Sequence, residues 1–371
     1  MTQIHKHPLQ KILESRIAII DGAMGTTIRT YGMKEADIRG ERFRNSTKDL
    51  LNNGDLFSLT QPQMICDIHR RFLEAGADII ETNTFGATSV TQSEFFVEDP
   101  RERGGRKDPA FYQKVIEDKF LNDLAWEINE QSARQCREWA DRVANQTGRQ
   151  RFVAGAIGPL TVSLSNSPDA DDAGFRVVTF DQVKAAYAHE VRALIAGGVD
   201  LLLVETIFDS LNAKAALVAI REVFDQDGLG ATSKELPVMI SAAVGRGGET
   251  LISAQTTEAF WNAVKHVKPL SVGLNCSLGP DLMYPFLSEL SEKADVAISC
   301  YPNAGLPNPL AATGFDLGPA DMARYLGDFA RGGLINIAGG CCGNTPEHIA
   351  AIAKALDGKP PRQLGQIEEA A

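Results

Sequence analysis

Apolar residues in this chain fall into short, nearly unbroken runs, and most runs are followed by a segment whose apolar positions recur at helical spacing. The runs are "RIAIID" ending at Asp21, "ADIIETN" at Asn83, "RFVAGAIG" at Gly158 and "VDLLLVET" at Thr206. "PVMISAAV" to Val244, "PLSVGLNC" to Cys276, "ADVAISCYPN" to Asn303 and "GLINIAGGCC" to Cys342 complete a set of eight. Continuous apolar character, in place of strict alternation, marks parallel strands covered on both faces. Between them, 61–75, 180–196, 210–224, 256–267, 319–331 and 346–355 read as helices, several closed by glycines that launch the next strand. Eight such β–α units predict an α/β protein with a single (β/α)8 TIM barrel over 1–357. A doubly wound open sheet is the alternative.

Two stretches break the repeat. Residues 98–113, "EDPRERGGRKDPAFYQ", read as an exposed insertion after the second strand, and 166–174, "NSPDADDAG", as an acidic loop after the third. Residues 358–371 read as a loose C-terminal tail. A net charge of −11 argues against a nucleic-acid surface. No run approaches the ~18 apolar residues of a membrane span, and the N-terminus has no signal-peptide pattern. Six cysteines are too few for a disulfide framework in a chain of 371 residues, so the expected compartment is the cytoplasm.

A barrel builds its active site where strands end. Those positions are Asp21, Glu81, Asn83, Glu205, Cys276, Asn303, Cys341 and Cys342. Three thiols on one face suit Zn²⁺, which takes tetrahedral sulfur and nitrogen ligands and keeps a fourth position open in catalytic sites. Glycines around Cys341–Cys342 permit the sharp turn that adjacent ligands need. Small buried packing residues, or a vicinal disulfide, are the readings that spacing alone leaves open. Packing is the reading for Cys66, Cys136 and Cys300. His5 and His7 form the only His-x-His and precede the first strand, and no HExxH occurs, which sets a zinc hydrolase aside. His69, His189, His266 and His348 read as structural.

The strings "DGAMGT", "AGADIIETNTFGAT", "GLNCSLGP", "YPNAGLPN" and "GGCCGNTPEHI" resemble the homocysteine-binding module of cobalamin-dependent methionine synthase, within the homocysteine S-methyltransferase family. The likeness runs from about Ile17 to Ala355. "ADIRGERF" and "ETIFDSLNAKAA" bring it nearer to that enzyme than to betaine- or S-methylmethionine-dependent relatives. The resemblance implies that Cys276, Cys341 and Cys342 hold one zinc ion, with Asn303 at the fourth position until substrate arrives. It implies that Asp21 and Glu205 hold the homocysteine amino group and the amides near Gly22 and Ala23 its carboxylate; Asn83 is a further candidate substrate contact.

Methyl transfer to sulfur needs a thiolate, whereas a free thiol has a pKa near ~8.5. Zinc deprotonates the thiol, and three cysteine thiolates offset the metal's charge, so the bound sulfur stays nucleophilic. No donor-binding module is legible, so the expectation is a split enzyme whose methylcobalamin comes from a separate corrinoid/folate-binding protein. A stand-alone methyltransferase using betaine, S-methylmethionine or S-adenosylmethionine is the alternative, and a non-catalytic homocysteine- or zinc-binding subunit a remoter one.

Overall fold

A computed structural model describes residues 6–226, 235–311 and 313–364. Eight parallel strands form one sheet: β1 (Ala18–Ile19), β2 (Ile79–Glu81), β3 (Phe152–Ile157), β4 (Leu201–Ile207), β5 (Val238–Ala242), β6 (Ser271–Asn275), β7 (Ala297–Tyr301) and β8 (Ile337–Ala338). They pair in the order β1-β8-β7-β6-β5-β4-β3-β2. The two edges meet through a parallel bridge, Ile20 to Ile79, flanked by the bonds Asp21 N–H to Ile79 O and Asp78 N–H to Ile19 O. The sheet is therefore the expected (β/α)8 barrel.

Strand parity divides the core in two. Ile20, Ile79, Phe152, Leu201, Leu203, Met239 and Ile337 fill the barrel interior. Their neighbours Ile80, Val153, Leu202, Val204, Ile240, Val272 and Ile298 pack outward under the helices. Both faces are apolar, which is why the strands read as unbroken runs. At the C-terminal mouth the inward positions turn polar: Glu81, Glu205, Ser241, Asn275 and Tyr301 follow the same two-residue period.

The expected helices form at Pro62–Glu74, Phe180–Gly197, Ser210–Gln226, Thr257–Val264, Pro319–Arg331 and Pro346–Leu356. A long helix, Lys119–Thr147, went unnamed in the sequence. Its one buried stripe lies within a mostly charged and amide-rich surface, so its period is diluted. The Asp118 side chain caps its first turn and Gly148, at φ +68°, ends it.

The segment 98–113 is less loose than its composition implies. It forms a 3₁₀ turn, Pro100–Arg103, then enters the helix Pro109–Glu117, where Asp108 caps the N-terminus and Tyr112 is buried. The described part of the C-terminal segment is docked: the Arg362 guanidinium donates to the carbonyls of Ser291, Ala294 and Val296, beside the start of β7. The rest of that segment, 365–371, lies outside the described residues, as does His5. Among the described residues, no helix is long and apolar enough to cross a membrane.

Candidate metal centre and substrate pocket

Cys276 follows β6 directly, whereas Cys341 and Cys342 lie three and four residues past β8. Their Sγ atoms all fall within 4.8 Å of one another, with Cys276 and Cys342 3.8 Å apart. Backbone bonds hold the turn that delivers the pair: Cys341 N–H to Pro302 O at 2.9 Å and Ala304 N–H to Cys342 O at 2.9 Å. Asn344 Nδ2 donates to both Pro302 O and Cys341 O, and Gly343 N–H to Thr26 Oγ1. Gly340 has to be glycine here, because a Cβ would stand 2.1 Å from Asn344 Cγ. Cys276 and Ser277 both have positive φ, +55° and +60°, an unusual pair for residues with side chains. The thiols share their protons unequally: bonds from Cys276 and Cys341 push the Cys342 thiol down to about 3, while bonds from Cys276 and Cys342 push Cys341 well up.

The remaining cysteines stand apart, as expected. Cys136 and His69 are fully buried against each other, Sγ to Nε2 3.2 Å, and burial drives the histidine down to about 4 and the thiol up. Cys300 faces outward onto Met283. His7 caps the helix Pro8–Ser15, His189 bonds Asn122 O, and His348 bonds Thr345 and Leu317 O.

Across the mouth lies a set of carboxyls with no cationic partner among the described residues. Asp21 and Glu205 are buried, and Asp21 Oδ1 has no partner while its Oδ2 accepts the Glu81 N–H at 3.1 Å. Burial pushes Glu205 up to about 8, with Cys276 adding to it. Asp21 and Glu81 are also held well above the carboxylate range, first by burial and then by neighbouring carboxyls. Glu81 stood among the strand ends in the sequence with no role assigned. Tyr301 was missed: its buried hydroxyl lies beside Glu205 and Ser241 at the end of β7. Extending the two-residue period from Ser299 would have found it.

Gly22 is buried, and neither its N–H nor that of Ala23 finds an acceptor among the described residues. Asn303 Oδ1 is likewise buried without a partner. Asn83 differs: its amide nitrogen donates to Gly54 O and Ser58 Oγ, both at 3.0 Å, so that donor is committed to bracing the first long loop.

Three converging thiols that could hold a metal ion thus share the mouth with an orphaned amide oxygen and a set of buried carboxyls. The sequence profile described as homocysteine S-methyltransferase matches residues 18–356. This chain belongs to the homocysteine S-methyltransferase family. The metallated form of the homocysteine methyltransferase MmuM from Escherichia coli is 19% identical and superposes with a TM-score of 0.65, over 94% of this chain and 99% of that one. The oxidized form of MmuM gives 0.62 at 19% identity, covering 91% and 95%. A methyltransferase from Methanosarcina mazei gives 0.52 at 9% identity, covering 94% and 97%. At these identities the superpositions speak for the fold, and family membership makes the chain a methyltransferase acting on homocysteine.

Proposed function

We propose that this homocysteine S-methyltransferase uses one zinc ion held by Cys276, Cys341 and Cys342 and takes its methyl group from methylcobalamin carried by a separate corrinoid protein. The observation that carries the zinc reading is the convergence of three sulfurs from two strand ends within 4.8 Å. The orphaned Asn303 Oδ1 suits the remaining coordination position. When bound, zinc supplies a substrate sulfur that is ionised at neutral pH.

The chain's own residues do the rest. Asp21 and Glu205, buried with no counter-charge among the described residues, suit the substrate ammonium, which relieves the cost of ionising them. The free N–H groups of Gly22 and Ala23 suit the carboxylate. With both ends of the amino acid held, its sulfur is aimed at the thiol cluster. In the transfer the sulfur lone pair forms the S–CH₃ bond as the donor–CH₃ bond breaks, and that bonding pair stays on the donor.

A protein-borne donor is favoured by the strings 36–43 and 205–216, and by the mouth itself. The loops after β2, β5 and β7 hold Phe85, Leu251, Leu306 and Leu310 out to solvent around the pocket. Such a rim suits another protein better than it suits a small donor. The test is to supply purified, zinc-loaded protein with homocysteine and, in parallel, methylcobalamin, betaine, S-methylmethionine or S-adenosylmethionine. Methionine formed from methylcobalamin alone is expected; efficient turnover with one of the small donors overturns the donor assignment.

A further inference from the structure

Asn275 ends β6, is fully buried, and points into the mouth between the two halves of the site. Its Oδ1 accepts the Thr206 N–H at 3.1 Å and the Ser241 hydroxyl at 2.7 Å. A backbone N–H can only donate, so the amide's orientation is fixed and its nitrogen must face the other way. There Nδ2 donates to Thr206 Oγ1 at 2.9 Å and reaches Cys341 Sγ at 4.0 Å. Every hydrogen-bonding position of this side chain has a partner.

Those partners are the neighbours of the functional groups. Thr206 directly follows Glu205 and is held at φ +53°, a costly conformation for a β-branched residue. Cys276 directly follows Asn275 and is itself at φ +55°. One amide therefore braces the turn behind the carboxyl, leads covalently into the first thiol and touches the second.

We infer that Asn275 is a positioning residue whose amide N–H donates to the Cys341 sulfur, weakening it as an electron donor to a bound metal while fixing the thiols relative to Glu205. An N–H directed at a thiolate draws charge from it, as outer contacts of metal ligands generally do. This inference rests on the three-sulfur metal reading proposed above.

The test loads the wild-type chain with a spin-half cadmium isotope and looks for scalar coupling between the metal and the Asn275 side-chain amide protons, which passes only through an N–H···S–Cd path. In the cobalt(II) form, the sulfur-to-metal charge-transfer band is read for wild type, Asn275→Asp and Thr206→Val. The expected results are a resolved coupling, a shift to longer wavelength in N275D, and no shift in T206V, which keeps the N–H···S contact. A purely bracing amide gives no coupling. Cadmium bound by the cysteines without coupling, or an unshifted N275D band, overturns the inference and leaves the metal reading standing. Cadmium that fails to bind at the cysteines takes both down. The coupling needs no variant, so it decides the matter even if N275D does not fold.

Discussion

Cys276 Sγ and Cys342 Sγ lie 3.8 Å apart although 66 residues separate them in the chain. No disulfide joins them, and a third sulfur completes the group. A set like this is either a metal site or a costly crowd of half-buried thiols. Cys341→Ala is therefore expected to release the zinc and reduce methionine formation to background, with metal content read by atomic absorption. A metal-free C341A protein with full turnover would refute the zinc assignment.

Glu205→Gln keeps the shape and removes the charge. The ammonium would lose a charge-assisted bond worth about 1.5–3 kcal/mol, so KM for homocysteine should rise roughly 10- to 100-fold. Zinc content should not change. With a thiol substrate lacking the amino group, wild type and E205Q should have equal KM; a persisting difference would show that Glu205 acts on something else.

Gly340→Ala would set a methyl into the Asn344 side chain, which holds the Cys341 turn through Pro302. Overpacking of this kind costs about 1–3 kcal/mol, and here it falls on the turn that presents two ligands. The expected outcome is a lower Tm and a zinc affinity reduced on the order of tenfold, the latter measured by chelator competition.

Asp55 gives the fold a pH dependence away from the thiols. It is buried, accepts the Gly86 N–H at 2.9 Å, and is pushed from its ordinary 3.8 up to about 7, chiefly by burial. Its folded pKa lies above its unfolded one, so its contribution is fully present below the unfolded value and is lost as pH rises through about 7. The loss is at most on the order of 4 kcal/mol. The urea midpoint should fall from about pH 5 to pH 8, and Asp55→Asn should flatten that slope. An equal slope in D55N would assign the effect to other groups, with buried Glu190 the first to examine.

The barrel was legible because both faces of its sheet are apolar, which leaves unbroken runs as a parallel-strand signature. Cys276, Cys341 and Cys342 were legible because thiols at strand ends are chemically distinctive. Asn275 and Tyr301 were not, since an amide or phenol within an apolar run reads as strand filler until its parity is counted. Asn83 shows what position alone leaves out: it ends an expected strand, and Gly54 and Ser58 engage its amide nitrogen. Position along a strand locates the mouth; only the partners of each side chain tell a brace from a free contact.

The barrel's seam runs through the pocket. Between β1 and β2 a single bridge is extended by the Asp21 side chain, which takes the Glu81 N–H as a backbone carbonyl would. The Asp21 carboxyl is thus also the clasp of the hoop. On the role proposed for Asp21, substrate occupancy should be felt as slower amide exchange along 79–82, through the Asp21 side chain that takes the Glu81 N–H.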